Sequence, residues 1–119
     1  MARLRHEHLD FETAENVLRG RADVGLGLNT TLRRTERPGS GPIAVRLYST
    51  DVVTFLENGD IILNAGGYRT TTTKDRINRV LPLGWRVYSK DLDWYVHTPA
   101  GVFEFYDGMH FTGSRAVNG

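Results

Sequence analysis

The residues best suited to chemistry lie in one stretch, Gly66-Gly67-Tyr68-Arg69-Thr70-Thr71-Thr72-Thr73-Lys74-Asp75-Arg76. It joins two glycines to four hydroxyls and three cations, just ahead of a predicted helix. Free N–H groups and the helix dipole make such a start hospitable to anions. The spacing is not that of a P-loop, because Gly-x-x-x-x-Gly-Lys-Ser/Thr is missing. The competing reading is purely structural: a β-turn, β-prone threonines and a helix cap. If the site is real, its ligand is a phosphate, a nucleotide or a nucleic-acid backbone, and binding weakens when Arg69 or Arg76 becomes alanine.

A second feature is the crowd of aromatics in the second half of the chain. Tyr68, Trp85 and Trp94 are candidates for a base-stacking platform beside Arg69, Arg76, Arg79 and Arg86. The same rings suit the core and rim of a small β-rich domain.

Other chemistries find little support. There is no cysteine, which excludes disulfides and cysteine-based zinc sites or nucleophiles. His6 and His8 are two apart and would diverge on a helix, and no His-Glu-x-x-His occurs. No metal or cofactor is expected. Ser40 sits in a Pro/Gly turn rather than a nucleophile elbow. An enzyme acting on nucleotides would need a general base, for which Asp51, Asp75 and His97 are the only candidates, and no motif surrounds them.

These residues must be positioned by a small fold. The chain has 119 residues, 39% of them hydrophobic, which suits one domain, taken as 1–119 with an ordered core over about 9–111 and frayed ends. No apolar run approaches the roughly 20 residues that span a bilayer, and the polar start is unlike a secretory signal. A soluble protein of the host cytoplasm, with no membrane partner, is the expectation. Of fifteen basic residues only Lys74 and Lys90 are lysine, and the net charge is +1. A broadly basic DNA binder is therefore not indicated. The sum hides a local excess, since residues 66–86 hold five cations against Asp75 alone.

Helical spacing of Phe11, Ala14, Val17 and Leu18, with Asp10 as N-cap and Arg19-Gly20 as stop, predicts a helix over 10–19. Residues 20–28, rich in glycine, read as a flexible connection. Asn29–Thr35 and Ile43–Tyr48 read as strands joined across the Pro38–Pro42 turn cluster. Val52–Glu57 and Asp60–Asn64 form a hairpin on Asn58-Gly59, read as a type I′ turn with Phe55 opposite Ile62 and Leu56 opposite Ile61. That register puts apolar residues on both faces. Thr72 with Asp75 predicts the capped start of a second helix, stopped by Pro82. Strands at 85–89, 94–97, 102–106 and 109–111 follow, with a tail from Gly113. The sum is an α+β domain with a meandering antiparallel sheet of about six strands, able to curl toward a barrel, and two short helices.

The residues also carry a resemblance. Asn29-Thr30-x-Leu32-x-Arg34, Ala44-Val45-Arg46-Leu47-Tyr48-x-Thr50-Asp51-Val52-Val53-Thr54 and Gly66-Gly67-Tyr68-Arg69-Thr70-x-Thr72-Thr73-Lys74-Asp75-Arg76-Ile77-Asn78 resemble a family of small tailed-bacteriophage proteins. Trp94-Tyr95 and Asp107-Gly108-Met109 extend the likeness. Members often show His and Trp where this chain has Tyr48 and Tyr68. The resemblance implies an origin, not a mechanism; the arginine-rich composition fits a phage or prophage of an actinobacterium. Small phage proteins are often binders, so a host or phage protein is the alternative partner to nucleic acid or a nucleotide. If the topology allows, Arg46, Asp51, Arg69, Thr70, Thr72, Thr73, Lys74 and Arg76 would converge on one anion site.

Overall fold

The computed structural model describes residues 3–36 and 41–117. Pro38, Gly39 and Ser40 of the expected turn cluster lie outside the described residues, as do both chain ends. The order is α1 (Phe11–Leu18), β1 (Asp23–Gly27), β2 (Thr30–Arg34), β3 (Ile43–Leu47), β4 (Thr50–Phe55), β5 (Ile61–Leu63), α2 (Thr71–Val80), β6 (Arg86–Lys90), β7 (Asp93–Thr98), β8 (Gly101–Glu104), β9 (Met109–Thr112) and β10 (Arg115–Val117). Every strand pair is antiparallel. The fold is α+β with two helices, as the pattern predicts. The strands number ten among the described residues rather than about six, and form two open sheets rather than a barrel. One sheet runs β1-β2-β3-β4-β5-β9-β10 and the other β6-β7-β8.

The extra strands are short and glycine-flanked, which hid them. The expected flexible stretch 20–28 contains β1, and the expected tail contains β10. Leu28-Asn29, both at positive φ, make the two-residue turn between β1 and β2.

The large sheet has one covered face. Val24, Leu32, Val45, Val53, Leu63 and Met109 lie opposite one another across six strands, and Ile43, Phe55, Ile61 and Phe111 form the next row. Both rows are buried except for half-buried Val24. Fully burying one such side chain contributes about 1.5–3 kcal/mol. α1 packs on the β1–β3 end and α2 on β3, β4 and β6. The small sheet docks through aromatic edges: Trp85 and Phe103 both meet Phe111 at ring separations of 5.0 and 5.8 Å.

The 52–64 hairpin differs from expectation by one residue. Phe55 pairs with Ile61 and Thr54 with Ile62. The turn is a three-residue loop: Gly59 N–H donates to Leu56 O, Leu56 N–H donates to Asp60 O, and Gly59 has φ +95°. That is a type I turn closed by a glycine bulge, the other turn that Asn-Gly serves. Asn58 Oδ1 favours it by accepting the Asp60 N–H at 2.9 Å. The slip gathers Val53, Phe55, Ile61 and Leu63 on the buried face, leaving half-buried Thr54 and Ile62 on the other, so the hairpin is not apolar on both sides.

α2 begins two residues earlier than Thr72 implies. Thr70 is the N-cap, and its Oγ accepts the Thr73 N–H at 3.1 Å. Pro82 ends the helix, with Leu81 already extended.

Candidate functional site

Three segments enclose a pocket of about 430 Å³ at the start of α2. The β3–β4 turn supplies Tyr48, Ser49 and Thr50, the loop after β5 supplies Ala65 and Tyr68, and the helix start supplies Thr70, Thr72 and Thr73; Leu47 and Val52 complete the lining.

Each wall is fixed locally. The turn at Tyr48-Ser49 joins Leu47 to Thr50, and Tyr48 takes φ +55°, a costly conformation for a bulky residue. Its N–H donates to Asn29 O at 3.1 Å, and its Oη accepts from Asn29 Nδ2 at 3.2 Å. The 64–67 loop is gripped from below by Asp107, whose two oxygens accept the N–H groups of Ala65 at 2.8 Å and Gly67 at 3.0 Å. Asn64 Oδ1 takes the Gly66 N–H. These bonds present Tyr68 outward, 66% exposed, facing a pocket that it shares with Tyr48, 68% exposed.

The helix start adds polarity without charge. Thr70 caps Thr73 and Lys74 N–H donates to Thr70 O, while the helix offers no acceptor to the amides of Thr71 and Thr72. The pocket lining contains no ionised side chain. Two rings, several hydroxyls and helix-end amides suit a flat, oxygen-rich ligand of modest size.

Of the residues singled out by sequence, Tyr68, Thr70, Thr72 and Thr73 line this pocket together. The others stand elsewhere. Arg46 and Asp51 occupy the open face of the large sheet, across from the core: Arg33 grips Asp51 by two bonds, at 2.7 and 3.2 Å, and Arg46 Nε adds a third at 3.1 Å. Arg69 lies over Phe105 and Trp94, 5.0 and 5.5 Å from their centroids. Lys74 bonds Ser89 Oγ at 2.9 Å and also overlies Trp94. Arg76 pairs with Asp75 and donates to Leu28 O at 3.2 Å. Trp94 is 4% exposed and Trp85 is half-buried, so with Tyr68 they do not form one open platform. The expected eight-residue convergence is therefore not the arrangement seen, because strand alternation and the Val45/Arg46 bulge send Arg46 and Asp51 to the opposite face.

The three general-base candidates are also separate. Asp51 is held by Arg33 and Arg46, Asp75 by Arg76 and Arg79, and His97 is exposed on the small sheet. A further polar pair, Asp60 and His110, meets at 2.6 Å on the open face. That bond draws the Asp60 carboxyl below its usual range, against an opposing effect of burial. Among the described residues no group of three His, Asp or Glu is placed to hold a metal, and no helix is long and apolar enough to cross a membrane.

Sequence reasoning missed Tyr48 as part of this site, and Asp107 as the residue that holds its loop.

In comparison with known proteins, residues 12–112 match the family model described as Kyanoviridae Gp96 protein. No curated protein and no solved structure matches the chain.

Proposed function

The chain belongs to the Kyanoviridae Gp96 family, a phage protein family, and from that premise we propose that it is a small non-enzymatic binding protein that takes a nucleotide-like anion in the Tyr48–Tyr68 pocket. One observation carries the reading: two tyrosines, each about two-thirds exposed, flank a pocket whose remaining wall is the start of α2. Leaving two large rings in water forgoes the gain of burying them. Stacking against a base recovers it. The phosphate then meets the amide and the hydroxyl of Thr72, donors that need no cation.

The neutral lining favours a mononucleotide-sized ligand, or one nucleotide of a single strand, over a duplex backbone track. Arg69 and Arg76 support the site indirectly, through the rings and carbonyls that hold its frame. The host cytoplasm is the compartment proposed, and the arginine-rich composition supports an actinobacterial phage or prophage as source.

The test is titration of the full chain with mononucleotides and short single strands, followed by amide shifts. Shifts centred on Tyr48, Tyr68 and Thr72 support the reading; saturating ligand without them removes it.

A further inference from the structure

Among the described residues the two sheets have four outer edges, β1, β10, β6 and β8, and three of them receive at least one hydrogen bond from outside their sheet. On β1, Arg5 N–H donates to Leu26 O at 2.9 Å, and Arg5 Nη1 reaches Gly25 O at 3.3 Å. On β6, Asn78 acts as a short surrogate strand: its Nδ2 donates to Val87 O at 2.8 Å and its Oδ1 accepts Val87 N–H at 2.7 Å. On β10, Tyr106 Oη donates to Val117 O at 3.3 Å.

The edge of β8 has no such cover. Phe105 N–H donates to Trp94 O, which fixes the phase of the β7–β8 ladder. Phe103 and Gly101 then point their backbone groups at β7, while Val102 and Glu104 point theirs away from it. Among the described residues no hydrogen bond reaches those outward groups. The strand is short and carries one charge, Glu104, but has no proline, lysine or bulge. Beside it runs a groove of about 420 Å³ lined by Val102, Phe103, Glu104, Phe105, Tyr106 and Ala116, with Val102 53% exposed.

We propose that β8 is the pairing edge of a two-fold homodimer, joining two three-stranded sheets into one of six strands. Alternating free N–H and C=O groups are a template that another extended strand matches bond for bond. The strand is complementary to itself. An antiparallel pairing centred on Phe103 sets Val102 opposite Glu104 of the partner subunit, so that both outward-pointing residues exchange backbone bonds. Phe103 meets the partner's Phe103 at the axis, an aromatic cross-strand pair on the groove side. Carboxylates are kept apart in this register, whereas centring on Glu104 would place like charges face to face.

The test is sedimentation of the full chain from about 5 to about 200 µM, with amide exchange at both ends of the range. Dimers that build with concentration are expected, with the Val102 and Glu104 amides slowing in step. Val102→Lys places a charge on the edge, and Val102→Pro removes an outward N–H that β7 does not use. Each variant should weaken association by about tenfold or more while keeping the parent near-ultraviolet spectrum. A chain that stays monomeric throughout overturns the proposal. So does a dimer that both folded variants leave intact, or one whose Val102 and Glu104 amides exchange at the same rate in monomer and dimer.

Discussion

Gly66 sits against Thr50 with no room for a side chain: a β-carbon there would lie 2.8 Å from Thr50 Cγ2 and 3.0 Å from its Oγ1. Gly66 also has φ +60°. The contact joins two of the three segments that enclose the pocket. Gly66→Ala should therefore cost about 1–3 kcal/mol, combining left-handed strain with a clash. Urea unfolding measures it, and an unchanged midpoint would show that the loop adapts freely.

Asp107 ties the same loop to the β8–β9 connection through two backbone amides. Asp107→Ala leaves both N–H groups without that acceptor, at a cost of about 1–3 kcal/mol, and loosens Tyr68. Faster amide exchange at Ala65 and Gly67 is the direct readout.

Asn78 offers a contrast remote from the pocket lining. Asn78→Ala removes both bonds to Val87 and should cost a similar amount, about 1–3 kcal/mol. Nucleotide affinity in the folded fraction should be unchanged, which separates scaffold from site.

Acid sensitivity should follow Asp60. Its folded pKa lies below the unfolded value of 3.8, because His110 bonds the carboxylate. Its stabilising contribution is thus complete above that value and is lost as pH falls through the lower folded pKa. Asp60→Asn should unfold more easily than the parent near about pH 7, and the gap should close toward about pH 3. Urea midpoints at both values decide it; a gap that does not vary with pH would assign the effect to packing.

Much of the fold is written in local pattern. α1 and its Asp10 cap, the Pro82 stop and the β2–β3 and β4–β5 pairings all follow from short-range chemistry. The failures have equally specific causes. Asn58-Gly59 serves two turn types that differ by one residue, and only the full hairpin chooses between them. Thr70, Thr72 and Thr73 were adjacent in sequence and share the pocket. Arg46 and Asp51 are separated from them by strand parity and a bulge, neither of which residue type reveals. Tyr48 became part of the site only through its turn, where the chain accepts a positive φ and holds the ring beside the start of α2.

Tyr48 and Tyr68 are proposed as two walls of a nucleotide-sized pocket. Titration calorimetry of the parent, Tyr48→Ala and Tyr68→Ala with a panel of mononucleotides tests it most directly. Base stacking contributes about 1–3 kcal/mol per ring, so loss of either exposed tyrosine should cost between about fivefold and about 150-fold in affinity with little change in stability. Measurable binding in the parent that both variants lose supports the claim. Absence of heat and of amide shifts at millimolar nucleotide, or equal affinity in all three proteins, would contradict it.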